Sequence, residues 1–274
     1  MRDLTKTKFD SLRNKFTGKD VLVAFSGGVD STVLASIVSE AAKRTILLLI
    51  SSPTVPETEL DNARAVAKEL ELDLVVKDFD WLTEGNLKNN ETNRCFKCKE
   101  LLADMWIDTA RELGLDIVVE GTTASETTGH RPGLQALKES GVQSPFLDVE
   151  MTKSEIREYA RERGISVAEK PSMACLATRF PYGVEINLER LAMVERVERA
   201  VVEIFGIKCV RARYHGNLVR VEVAENELER IFDVNKMKHL ETLARDVGFT
   251  YVTLDLRGYR TGAMDEGLAS SEPI

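Results

Sequence analysis

The sequence predicts an α/β fold: a parallel sheet flanked by helices, followed by a second, smaller α+β domain. Three observations predict it. Short apolar runs at 21–25, 45–50, 72–77 and 115–121 alternate with stretches of helical periodicity, the pattern of a parallel sheet with right-handed crossovers. A glycine- and serine-rich loop, SGGVDS, joins the first run to its helix. After Gly183 the composition changes to a long helix, a hairpin and a further helix and strand, which sets the domains at 1–183 and 184–274.

The chain of 274 residues is 43% hydrophobic and 30% charged, ordinary values for a globular protein with a sizeable core. Its longest apolar runs fall far short of the roughly 20 residues of a membrane helix, and MRDLTKTKFDSLRNKF lacks a signal-peptide core, so a cytoplasmic protein is expected with no membrane partner. A net charge of −8 argues against a broad nucleic-acid footprint. An acidic enzyme of this size is compatible with a homo-oligomer. The chain has four cysteines, and in the expected compartment they suggest metal rather than a disulfide framework.

In order along the chain, Leu4, Phe9, Leu12 and Phe16 share one side of a first helix. Val21 to Phe25 form a buried strand, and Val33, Leu34, Ile37 and Val38 give the next helix its apolar face. Between them, Gly27 and Gly28 permit a sharp turn, while Ser26, Ser31 and Thr32 bring hydroxyls to the helix start. A strand, a glycine turn and a helix N-terminus make an anion site, where Asp30 is suited to magnesium beside phosphate oxygens. The lysine of a Walker loop is absent, because Val29 and Asp30 stand in its place. TILLLI, a helix from about Glu57 to Leu70, LDLVVK, a helix through LLADMW and LDIVVEG continue the alternation.

NRCFKCK places Cys95 and Cys98 three apart, on one face if the helix has begun, among Arg94, Lys97 and Lys99. Positive neighbours favour thiolates and anionic clusters. Such a pair reads as a redox couple, half a zinc site, part of an iron–sulfur site or two buried thiols, and its surroundings are unlike the thioredoxin context. GTTASETTGHRPGLQALKESGVQSPF reads as a loop, with Arg131 set for a phosphate or carboxylate or else solvated. A capping box, Thr152 with Glu155, opens a helix that ends at Gly164. The loop at 169–183 presents Cys175 and Arg179. Beyond it come a helix from Asn187 to about Phe205, the strands VRARYH and LVRVEVA around a Gly216–Asn217 turn, a helix over 225–247 and the strand FTYVTLDL. Arg211 and Arg213 share a strand face, suited to an anion or to solvent. Cys209 reads as a small core residue.

SGGVDS resembles the PP-loop of the ATP pyrophosphatases, which implies ATP binding, transfer of AMP to an oxygen and release of pyrophosphate. With CLATRFPYG, NRCFKCK, RPGLQA, VRARYH and YVTLDLRGYRTG added, the chain resembles the LarE family of ATP-dependent sulfur transferases over nearly its whole length. That resemblance implies a PP-loop domain followed by a sulfur-transfer domain. The implied substrate is a pyridinium biscarboxylate mononucleotide, adenylated on a carboxylate and converted to a thiocarboxylate. Carried over by position, Ser26, Gly27, Gly28, Asp30 and Ser31 bind ATP phosphates and magnesium. Lys99, Arg179, Arg211 and Arg213 hold substrate carboxylates and phosphate, and Glu198 is a pocket carboxylate.

The family has two forms. In one, the cysteine at position 175 gives up its own sulfur; in the other, Cys95, Cys98 and Cys175 hold a 4Fe-4S cluster. Three thiolates leave one iron free to carry sulfide, which favours the second form here, with Cys175, Asp30, Arg179 and Lys99 as catalytic residues. A zinc site completed by His130 or His215 is the competing metal reading. The competing functions are a tRNA thiolase, a carboxylate amidase and a non-catalytic ATP-binding module. One departure from the family is the stretch Glu126, Thr127, Thr128, Gly129, His130, where an acidic loop with a tyrosine is usual.

Overall fold

The computed structural model describes residues 3–126, 132–172, 174–260 and 262–264. In chain order the elements are α1 (Asp3–Phe16), β1 (Asp20–Phe25), α2 (Val29–Ser39), β2 (Arg44–Ser51), α3 (Glu57–Glu69), β3 (Asp73–Asp78), α4 (Gly85–Lys88) and α5 (Arg94–Glu112). They continue with β4 (Ile117–Val119), α6 (Pro132–Ser140), α7 (Pro145–Asp148), α8 (Lys153–Glu162), α9 (Leu188–Phe205), β5 (Val210–His215), β6 (Leu218–Val223), α10 (Val234–Asp246) and β7 (Tyr251–Leu254). The chain groups into two compact units, Met1–Asp80 with Asn93–Met173, and Trp81–Thr92 with Ala174–Ile274.

The first unit is the predicted α/β layer structure. Its sheet runs β3-β2-β1-β4 with every pair parallel. As an inner strand, β1 is covered on both faces, which is why it reads as an unbroken apolar run rather than an alternation. Its alternate residues part as a pleat requires: Val21, Val23 and Phe25 join Phe9, Leu12 and Phe16 of α1, Val33 and Ile37 of α2 and Tyr159 of α8. Leu22 and Ala24 instead join Ala103 and Trp106 of α5 and Leu137 of α6. The carboxyl ends of β1, β2 and β4 therefore open to one edge of the sheet, each followed by a loop.

α8 opens with the predicted capping box between Thr152 and Glu155. The Glu155 carboxylate also accepts from Thr5 (3.0 Å) and Lys8 (3.1 Å), tying α1 to α8. Burial pushes its pKa up, but the hydrogen bonds from Thr152, Lys8 and Thr5 outweigh that and hold it at about 2, against an ordinary 4.5. The unfolded chain then binds the proton first, so this carboxylate's contribution is complete above pH 4.5 and disappears as pH falls toward 2. Glu155→Gln is expected to lower stability at pH 7 by about 1 kcal/mol. In urea unfolding, that difference from wild type should shrink steadily through the same acid window.

The second unit carries a sheet of order β5-β6-β7, with β5 and β6 antiparallel and β6 and β7 parallel. α9 packs on β5 and α10. It starts at Asn187, whose side chain accepts from the Arg190 amide, and ends at Gly206 in the left-handed region.

Two expectations change. The stretch 132–140, read as loop, is the helix α6, with Ala136 and Leu137 buried; the prolines and glycines on either side hid its short apolar spacing. The helix expected over 225–247 is a 3₁₀ segment, Glu225–Ile231, followed by α10. Glu227 turns its carboxylate to the amides of Lys208 and Cys209, and Asp233 restarts the helix by capping Asn235 and Lys236. No described helix is long and apolar enough to cross a membrane.

Candidate functional site

In the first unit the SGGVDS segment closes on itself between β1 and α2. Gly27 adopts φ +67°, and a Cβ there would stand 2.6 Å from the Ala63 backbone of α3. Both the conformation and the packing therefore demand glycine. The Ser31 hydroxyl accepts from the Ser26 amide and is bonded to the Ser26 hydroxyl, each at 3.2 Å. The Thr32 hydroxyl donates to the Gly28 carbonyl at 2.8 Å. These contacts fix the loop with the α2 N-terminus at its centre. Gly121, just after β4, lies so close that an added Cβ would be 3.1 Å from the Ser31 amide nitrogen.

Two lysines that sequence reasoning missed flank this loop. Lys153, the first residue of α8, forms an ion pair with Asp30. Lys170 pairs with Glu59 of α3 at 2.7 Å and donates to the Gly27 carbonyl at 3.4 Å. A signal for Lys153 existed, since a helix's first turn disfavours cations and a lysine there needs another partner. Lys170 had the weaker sign of preceding Pro171, where the backbone is extended; its carbonyl and that of Ala168 accept from Arg157. Beyond β2 and β3, Ser51, Ser52, Pro53, Asp78, Phe79 and Asp80 line an open cavity of about 410 Å³.

Cys95 and Cys98 fall in the first two turns of α5, so the helix has begun there and the three-residue spacing puts them on one face. The Arg94 guanidinium donates to the Cys95 sulfur at 3.6 Å. Lys99 sets its ammonium 5.2 Å over the Trp106 ring and its stem against Gly133 of α6.

In the second unit Cys175 is exposed and precedes a 3₁₀ turn, Leu176–Arg179. Arg179 is fully buried and donates to both carboxylate oxygens of Glu198, at 2.7 and 2.9 Å, and to the carbonyls of Ala174 and Cys175. Glu198 also accepts from the Ala212 amide. Arg213 grips Glu222 and the Thr178 carbonyl. Arg220 joins Glu222 to Asp255, which Arg260 approaches at 3.5 Å. Arg211 is buried with them; burial, and next the charge of Arg179, lower its pKa. Cys209, expected in the core, is half-buried, and burial raises its thiol's pKa.

The five loop residues thus gather in the first unit, and Cys175, Arg179, Glu198, Arg211 and Arg213 occupy the second. Arg131 and His130 lie outside the described residues, and His215 ends β5 at the surface. None of the four cysteines is in a disulfide, and among the described residues no three of His, Cys, Asp and Glu are grouped to hold a metal ion.

Residues 5–97 match the NAD synthase family model. Over 267 residues the chain is 33% identical to the uncharacterized protein slr1717 of Synechocystis, covering 97% of this chain and 99% of that one. It is 32% identical to MJ0830 of Methanocaldococcus jannaschii, covering 95% and 98%. It is 29% identical to the pyridinium-3,5-bisthiocarboxylic acid mononucleotide synthase of Lactiplantibacillus plantarum, covering 92% and 91%. With the glycine loop on its parallel sheet and similarity that runs nearly end to end, the chain belongs to the LarE family of the PP-loop ATP pyrophosphatases.

Proposed function

We propose that the protein is an ATP-dependent sulfur transferase that turns a carboxylate of a pyridinium biscarboxylate mononucleotide into a thiocarboxylate. The observation that carries this reading is a glycine loop flanked by two lysines in one unit, together with a buried arginine cluster beside an exposed cysteine in the other.

The Ser26–Ser31 loop and the α2 N-terminus hold the ATP phosphates, and the cavity beyond β2 and β3 receives the adenosine end. Lys153 and Lys170 neutralise the polyphosphate. Asp30, which holds an ammonium already, has the charge and place to hold Mg²⁺, which would further neutralise the leaving pyrophosphate. A substrate carboxylate oxygen bonds to the α-phosphorus and pyrophosphate departs, leaving an acyl-adenylate. Hydrosulfide then bonds to the acyl carbon, AMP departs and a proton is released. Arg211 and Arg213 bind the anionic groups of the mononucleotide, and Arg179 holds the turn that bears Cys175.

The donor set for a 4Fe-4S cluster is Cys95, Cys98 and Cys175, none of them in a disulfide, with Arg94 donating to the first. When bound, the cluster would supply sulfide at the iron that lacks a protein thiolate. A cytoplasmic setting suits this chemistry.

The test is pyrophosphate release by the anaerobic protein. Release with the biscarboxylate mononucleotide at many times the rate with ATP alone supports the reading; equal rates refute it.

A further inference from the structure

The DLRGYR segment after β7, residues 255–260, has no part in the chemistry above, yet it meets the arginine cluster twice. Gly258 adopts φ +68°, and a Cβ there would stand 2.7 Å from the Val223 carbonyl, so only glycine lets the chain turn so close to the end of β6. The turn places the Tyr259 amide on that same carbonyl at 2.7 Å. The next atoms out are the Tyr259 ring, and the Arg211 guanidinium lies 4.9 Å over its centroid. From the same segment Asp255 binds Arg220, which binds Glu222, which holds Arg213.

We propose that Tyr259 is a positioning residue whose ring face holds Arg211 flat and oriented for an anionic group of the substrate. Arg211 is 2% exposed, so its alignment cannot come from water. Burial, and next the charge of Arg179, disfavour its cation, and Glu198 favours it; the ring contact is the geometric one. A planar cation over an aromatic face gains electrostatic attraction, and the Arg211 guanidinium, which also donates to the Val210 carbonyl at 2.7 Å, is held with its N–H groups in the plane that a carboxylate or phosphate would approach. The ring, not the hydroxyl, is the working part.

This rests on the substrate reading given above, and the experiment separates the two. Binding of pyridinium biscarboxylate mononucleotide and of ATP is measured by calorimetry on the full chain, as wild type, Tyr259→Phe and Tyr259→Leu, and as Arg211→Ala with and without Tyr259→Leu. Tyr259→Met replaces Leu if that variant does not fold. The expected result is that Phe stays within about 2-fold of wild type and Leu weakens the mononucleotide about 10-fold. ATP affinity holds in both, and Leu adds less than about 2-fold when Arg211 is already alanine. Wild-type binding matched by Leu overturns the role of Tyr259 alone. A loss in Phe equal to that in Leu does the same by assigning the effect to the hydroxyl. No mononucleotide binding by the wild type overturns both readings.

Discussion

Replacing Gly27 with alanine is expected to cut pyrophosphate release at least 100-fold while leaving the second unit folded. The substitution meets two independent obstacles. At φ +67° an L-residue is strained, typically by about 1–2 kcal/mol. The new methyl would also sit 2.6 Å from the Cα and 2.8 Å from the Cβ of Ala63. Neither neighbour is the end of a flexible side chain, so α3 or the loop must shift. A shift of either moves the α2 N-terminus and the Lys170 pairing with Glu59, and a displacement of about 1 Å in a positioning element costs on the order of 100-fold in rate. ATP binding and pyrophosphate formation measured on the same preparation give the comparison. A variant with wild-type rates would show that the loop does not hold the nucleotide.

The second large effect is expected at Arg179. Arg179→Ala leaves Glu198 in a site where its two oxygens lose the guanidinium at 2.7 and 2.9 Å. A buried carboxylate stripped of its partner costs about 3–5 kcal/mol, a large share of the roughly 5–15 kcal/mol that holds a domain folded. Arg179→Lys keeps the charge but not the two-pronged grip or the bonds to the carbonyls of Ala174 and Cys175. It is therefore expected to remain folded, with the urea midpoint lowered and the Cys175 turn loosened. Alkylation of Cys175 faster than in wild type would report that loosening. A double change to uncharged residues, Arg179→Met with Glu198→Gln, should recover part of the lost stability. Equal stability of Arg179→Ala and wild type would contradict the ion-pair argument.

Much of this arrangement was legible in the sequence where one periodicity acts alone. The strands of the first unit announced themselves because burial on both faces leaves unbroken apolar runs, and SGGVDS because few side chains tolerate a turn so tight beside α3. The capping box at Thr152 was equally plain. What escaped notice depends on contacts between distant residues. Lys153 and Lys170 are ordinary lysines until the fold brings them to Asp30 and to Gly27. Arg211 and Arg213 read equally well as a solvated face, because alternation shows which residues share a side and not whether that side is covered; both are buried. The long helix expected at 225–247 failed because Glu227 is drawn to the amides at 208 and 209, a pull that no local spacing reveals.

The family membership rests on similarity along the chain, and the proposed sulfur transfer is a separate claim with its own test. The most direct measurement is the number of thiocarboxylate groups formed per chain by anaerobic protein supplied with ATP, the biscarboxylate mononucleotide and sulfide. The account predicts well over one product per chain with Cys175 intact by mass; at most one product, with the sulfur of Cys175 gone, would contradict it.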